Sequence, residues 1–251
     1  MVGRGWFRND RDSTLSGGRR YRAGVNRLAL LLVPAVFAVL ALSTGRLPFK
    51  LGVPGLCALI LIESLRRSPG LPRREIGAVV IAFGMSMVGD YFLSTRSGRA
   101  HYFEAGIVAF FFAHLGYLRY ALYHGRLHRG ALTALLAVFV PYFGFVLSPA
   151  IDAWTLWVAV LAYLLISCVA LAAALGMKAA LVVKGLYVAG IGLVVLSDTF
   201  ISFNEFLRYR AFNAWILPTY YLAHLSITAS ILWRSGRGSP SDRAADSMPT
   251  I

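Results

Sequence analysis

Apolar runs long enough to cross a bilayer recur along most of the chain, and short polar or Gly/Pro-containing breaks separate them. A helix needs roughly 20 apolar residues to cross the hydrocarbon core of a membrane. We therefore predict an all-α membrane protein with eight transmembrane helices. The predicted spans are 25–44, 48–65, 76–94, 102–123, 130–147, 153–175, 179–201 and 212–233.

Composition and charge agree with this fold class and add an orientation. The chain is 58% hydrophobic and only 14% charged, whereas a soluble domain has about 25% charged residues. If eight helices alternate across the membrane, 19 of the 25 Lys and Arg residues fall on the side of the N-terminus. Because cytoplasmic loops carry the excess of positive charge, both termini are predicted to be cytoplasmic in a multi-pass protein of the cell membrane. The net charge of +14 then needs no nucleic-acid partner.

The ends of the chain differ from its apolar centre. Residues 1–24 are rich in Arg, Gly and Ser and have no apolar periodicity, and the last residues are similar. Such composition is typical of disordered segments. We predict a basic disordered tail over 1–24, a transmembrane domain over 25–233 and a second disordered tail over 234–251.

Two parts of the chain resemble each other and predict an internal repeat. Residues 89–94 (GDYFLS) align with 197–202 (SDTFIS), and residues 113–115 (AHL) align with 223–225 (AHL). The chain is therefore interpreted as two parallel four-helix repeats, 25–123 and 130–233, related by an axis along the membrane normal. Chance similarity between apolar helices is the alternative. In a repeat, Asp90 and Asp198 occupy equivalent positions and face each other across the axis.

Ionisable side chains at membrane depth are the candidate functional residues. A charge there costs at least ~2.5–3.5 kcal/mol on insertion scales, so Asp90 and Asp198 should face a polar cavity. The predicted topology places further polar residues in the same outer half of the membrane, namely Lys50, Glu104, Glu205, Tyr220 and Tyr221. Structural roles stay open for each type: ion pairs or helix caps for the Asp residues, solvation for Glu104, snorkelling for Lys50, and core packing for the Tyr residues.

Two buried histidines raise the question of a metal. His114 and His224 occupy equivalent positions in the two repeats, and two Asp with two His could in principle hold an ion. No HExxH motif, Cys pair or dense ligand cluster accompanies them, and a P-loop, a dinucleotide fingerprint and a nucleophile elbow are also missing from the sequence. We predict neither a metal site nor a cofactor.

The polar motifs resemble those of the YhhN-type multi-pass membrane proteins, a family that includes the lysoplasmalogenases. The resemblance runs through essentially all eight predicted helices, and the residues that carry it are Gly89-Asp90, Phe103-x-x-Gly106-x-x-x-Phe110-x-x-x-His114-x-x-Tyr117, Ser197-Asp198 and Thr219-Tyr220-Tyr221-x-Ala223. Lys50 and Tyr163 also stand where that family has a Lys and a Tyr. Two positions depart from the family pattern, because His224 replaces a Gln and Leu51 replaces a Pro.

The resemblance implies hydrolysis of the vinyl ether bond of a lysoplasmalogen, with membrane lipids and a lysophospholipid substrate as the partners. It implies Asp90 and Asp198 as the catalytic pair. The expected substrate-binding residues are Lys50, Glu104, His114, Tyr163, Tyr220, Tyr221 and His224. A small proton-coupled transporter that uses the same intramembrane acids is the main alternative, and a structural or sensory membrane protein is a third. The sequence leaves the oligomeric state open.

Overall fold

The computed structural model describes residues 28–68 and 71–235. The predicted N-terminal tail, 1–24, lies outside the described residues, as do residues 236–251 of the predicted C-terminal tail. The described residues form eight α-helices, and each overlaps one predicted span. They are α1 (Leu32–Thr44), α2 (Leu47–Arg67), α3 (Arg73–Thr95), α4 (Ala100–Tyr123), α5 (Arg129–Tyr142), α6 (Trp154–Leu175), α7 (Leu181–Phe206) and α8 (Asn213–Ser235).

Six helices of the described residues are long and apolar enough to cross a membrane: α2, α3, α4, α5 with its continuation to Ala150, α6 and α7. The prediction of an all-α membrane fold is therefore confirmed. Helix α1 is shorter even with the 3₁₀ turn Ala29–Leu31 before it. Helix α8 is not among the six, and its buried face carries polar residues such as His224, Thr228 and Ser230.

The outer surface of the bundle is apolar, as a surface in contact with lipid must be. Leu181 and Phe145 are 85% and 84% exposed, and the outward-facing Val39 and Ile81 are both 64% exposed. Small residues lie between the helices, where they allow the backbones to approach closely. Gly116 of α4 packs against the carbonyl of Ala78 on α3, and Gly190 of α7 packs against Ile227 of α8.

Helix α5 departs from regular geometry beside an apolar cavity. Helix α5 contains Pro141 and continues as a π-helical segment, Phe143–Leu147, and a 3₁₀ turn, Ser148–Ala150. Proline removes a backbone hydrogen bond, and π-helical segments often occur at functional positions. Here Tyr142 and Leu147 line an apolar cavity between α4, α5, α6 and α7.

Candidate active site

Asp90 and Asp198 open onto one cavity. Asp90 is on α3 and Asp198 is on α7, and both carboxyls line a cavity of about 400 Å³ together with Lys50 of α2. Both Asp side chains are half-buried. Lys50 and Asp198 are close enough to act electrostatically on the Asp90 carboxyl. The structure thus brings together two acids and one cation that lie far apart in the sequence.

Each Asp accepts a hydrogen bond from a tyrosine of another helix. The Tyr220 hydroxyl of α8 donates to Oδ2 of Asp90 at 3.0 Å, and the Tyr163 hydroxyl of α6 donates to Oδ2 of Asp198 at 2.6 Å. A hydroxyl that donates to a carboxylate fixes the direction in which the carboxylate points. Each bond leaves the other carboxyl oxygen, Oδ1, for a ligand in the cavity.

A narrower apolar cavity of about 90 Å³ joins the site at Asp198. Its walls are mostly aromatic and aliphatic side chains of α4, α5, α6 and α7. Both cavities share part of their lining, namely Leu93, Phe103, Phe110, Asp198 and Ile201. Asp198 therefore lies where an apolar space meets a polar one, an arrangement suited to a molecule with an apolar chain and a polar head.

Two histidines pack behind the tyrosines. His114 and His224 are both fully buried, and the Nδ1–H of each donates to the carbonyl four residues earlier, Phe110 at 3.1 Å and Tyr220 at 2.9 Å. The His114 ring lies 5.1 Å from the Tyr163 ring, and the His224 ring lies 4.4 Å from the Tyr220 ring. These contacts hold the two tyrosines that orient the acids. In the described part of the chain, neither Nε2 atom has a hydrogen-bond partner.

The sequence-predicted residues fall into three groups. Asp90, Asp198, Lys50 and Tyr220 line the larger cavity, and Tyr163 lines the apolar cavity beside Asp198. His114, His224 and Tyr221 are buried away from both linings, the last against the Tyr220 ring. Glu104 belongs to neither lining among the described residues, and its carboxylate accepts a hydrogen bond from the Thr155 hydroxyl at 3.0 Å.

The structure also adds a residue that sequence reasoning missed. Arg96 follows α3 directly, and its guanidinium forms two hydrogen bonds to the Glu205 carboxylate, at 2.7 and 2.8 Å. Both side chains line the larger cavity. The available signal was that Arg96 and Glu205 lie six and seven residues after Asp90 and Asp198, at nearly corresponding places in the two repeats.

No group of three His, Cys, Asp or Glu side chains that could hold a metal ion occurs in residues 28–68 and 71–235.

These features define a multi-pass α-helical membrane protein with a polar, acid-lined cavity inside the helix bundle. The model of the YhhN family matches residues 49–231, which include α3 to α7 entirely and most of α2 and α8. The chain belongs to the YhhN family. No curated protein and no solved structure shows significant similarity to it.

Proposed function

We propose that the protein is a lysoplasmalogenase-like hydrolase, which cleaves the vinyl ether bond of a lysoplasmalogen to a fatty aldehyde and a glycerophospho-alcohol. The observation that carries this proposal is the opening of Asp90 and Asp198 onto one cavity, with an apolar branch that begins at Asp198. Membership of the YhhN family supports the same activity.

The chemistry requires a proton donor and a second carboxylate. A protonated carboxyl transfers its proton to the alkene carbon that does not bear the ether oxygen, which leaves an oxocarbenium ion. Water adds to that ion and gives up a proton to a carboxylate, and the resulting hemiacetal collapses to the aldehyde and the free glycerol hydroxyl. In the collapse, the carboxyl that took the proton of water gives it to the departing glycerol oxygen, and the other carboxylate takes the proton of the hemiacetal hydroxyl. One water is consumed, and both acids return to their starting protonation. Paired carboxyls in glycosidases handle the same type of cation.

The remaining lining residues fit an amphiphilic substrate with a single chain. Lys50 supplies a cation for the substrate phosphate inside the polar cavity. The apolar cavity receives the first part of the alkenyl chain, beyond which the chain reaches the lipid. Tyr163 and Tyr220 orient the two acids through the hydrogen bonds described above. The buried His114, His224 and Tyr221 support that layer from behind.

The same proposal includes the topology. All eight helices cross the cell membrane as two parallel four-helix repeats, with both termini in the cytoplasm. The packing supports the repeat. Helices α3 and α4 of the first half pack together, and so do the equivalent helices α7 and α8 of the second half. In the same way, the contact between α4 and α6 corresponds to the contact between α8 and α2 when the two halves are exchanged.

The direct test is an assay of purified protein in detergent with a vinyl-ether lysophospholipid. We expect one equivalent of fatty aldehyde for each substrate molecule consumed, and a saturated alkyl-ether analogue should release none. An inactive, correctly folded protein would contradict the proposal.

Proton-driven flux in proteoliposomes without product would favour the transporter instead. Helices α3 and α7 argue against a transporter, because they run unbroken through their Asp residues, whereas many transporter sites lie at discontinuous helices.

Removing the tyrosine hydroxyls should slow the reaction by a moderate factor. Tyr163→Phe and Tyr220→Phe each delete one hydrogen bond to a catalytic carboxyl but keep the ring. Since a hydrogen bond to a charged group contributes about 1.5–3 kcal/mol, we expect kcat/KM to fall by about 10-fold or more in each variant. Tyr209→Phe is the matched control, because Tyr209 is 52% exposed and lies outside both cavity linings. Wild-type kinetics in both site variants would exclude this role.

A further inference from the structure

The Arg96–Glu205 ion pair joins the ends of the two helices that carry the acids. Arg96 comes one residue after α3, and Glu205 lies in the last turn of α7. The side chains are 34% and 19% exposed, and the Asn204 amide donates a third hydrogen bond to the Glu205 carboxylate at 2.8 Å. The hydrogen bonds that the Arg96 guanidinium donates to Glu205 raise its pKa above the usual value.

The Arg96–Glu205 pair differs in its position from an exposed ion pair. Exposed ion pairs contribute only about 0–1 kcal/mol to stability, and Glu63–Arg67 is of that kind, with both residues on α2 and side chains 42% and 73% exposed. Arg96 and Glu205 instead present a cation and an anion side by side to the cavity that contains Asp90, Asp198 and Lys50. The polar neighbours Asn204 and Asn213 continue the same wall.

Opposite charges at a fixed spacing are suited to a ligand that carries opposite charges itself. Two of the five N–H groups of Arg96 donate to Glu205, which leaves three that can donate to a phosphodiester, and a carboxylate binds an ammonium group. Lys50 adds a second cation for the phosphate. We infer that Arg96 and Glu205 form the headgroup subsite of the lysolipid, where Arg96 binds the phosphate and Glu205 binds the amine of a zwitterionic headgroup. This inference rests on the proposed function, because it identifies which lysolipids that cavity accepts.

The subsite predicts discrimination between headgroups of different charge. An ethanolamine headgroup satisfies both partners, whereas a glycerol headgroup leaves Glu205 facing a neutral polyol beside an unbalanced phosphate. We expect the wild-type protein to prefer the ethanolamine vinyl-ether lysolipid over the glycerol one by at least about 10-fold in kcat/KM. Glu205→Gln should reduce that preference to less than about 3-fold, mainly by lowering the rate with the zwitterion. Glu63→Gln is the matched control and should keep the full preference.

A variant with the two charges exchanged distinguishes headgroup recognition from a purely structural ion pair between α3 and α7. Arg96→Glu with Glu205→Arg restores an ion pair between the same two positions but exchanges its charges. If the pair only holds α3 and α7 together, the double variant should recover both stability and headgroup preference, and that recovery would overturn the inference. If the pair recognises the headgroup, the double variant should recover stability while the preference for ethanolamine stays below about 3-fold.

A binding measurement separates this inference from the proposed catalysis. Saturated alkyl-ether lysolipids with ethanolamine or glycerol headgroups are not cleaved by vinyl ether hydrolysis, so their affinity reports the subsite even if the protein has no hydrolase activity. We expect at least about 10-fold tighter binding of the ethanolamine form by the wild-type protein, and loss of that difference in Glu205→Gln. Equal binding of both forms by the wild type would overturn the inference. Free glycerophosphoethanolamine should compete at least about 100-fold more weakly than the lipid; equal competition would identify a soluble phosphodiester as the ligand and overturn the assignment to a lipid.

Discussion

Replacing either Asp90 or Asp198 with Asn is expected to lower kcat/KM for a vinyl-ether lysolipid by at least about 100-fold, because positioned proton transfer contributes 10²–10⁴-fold to such reactions. An amide has nearly the shape of a carboxyl group, so each variant keeps the packing around Tyr220 or Tyr163. It can neither deliver the proton to the alkene nor accept the proton of water. The measurement is aldehyde release at saturating and limiting substrate.

The double variant sharpens the test. If the two acids act as one unit, Asp90→Asn with Asp198→Asn should be little slower than the slower single variant. Asp152→Asn serves as the control, since Asp152 is exposed in the loop before α6 and should have wild-type kinetics. Unimpaired hydrolysis in both single variants would exclude the paired-carboxyl mechanism. All variants should elute like the wild type in size-exclusion chromatography, so that a loss of folding is recognised.

Most helix positions could be predicted from the sequence, because a membrane sets the length of an apolar run. One informative difference is at the end of α7, which is predicted at 201 and lies at Phe206. The extra residues include Ser202, Asn204 and Glu205, which have the composition of a loop. They remain helical because they face the interior of the bundle: Asn204 and Glu205 border the polar cavity, where Glu205 bonds Arg96, and Ser202 borders the apolar cavity, where it bonds the Tyr142 hydroxyl. At α7, these polar residues therefore do not mark the end of the helix.

The candidate site was only partly predictable. Asp90 and Asp198 were identified because intramembrane acids are costly and therefore rare. Membrane depth alone did not tell which way a side chain points. Glu104 lies at the same membrane depth as the polar cavity, but the neighbouring Phe103 is the residue that lines the cavity. Successive residues of a helix are turned by about 100° from each other, so Glu104 points in another direction. Glu104 is thereby directed to Thr155. Arg96 was overlooked because a single arginine after a helix is common, and only the fold brings it to Glu205.

Gly116→Val is expected to destabilise the bundle by about 3 kcal/mol or to prevent folding, because it inserts a side chain between two helix backbones. A Cβ atom at Gly116 would collide with the carbonyl of Ala78 and lie 2.8 Å from Cβ of Ala82, so α3 and α4 would have to separate. Backbone atoms cannot rotate away as a flexible side chain can. Separation of these helices would also move Asp90 of α3 relative to Phe110 of α4, which contacts Gly89.

The same substitution at a neighbouring glycine tests whether the close approach is the cause. No heavy atom of the described residues beyond its own helix backbone lies within 4 Å of a Cβ atom built on Gly84 of α3, so Gly84→Val should unfold at nearly the wild-type temperature. Thermal unfolding in detergent, followed by the fraction that remains monodisperse after heating, compares the two variants directly. Similar melting of Gly116→Val and Gly84→Val would mean that α3 and α4 do not approach as closely as the structure has them. A selective loss in Gly116→Val would support the helix pairing on which the position of Asp90 depends.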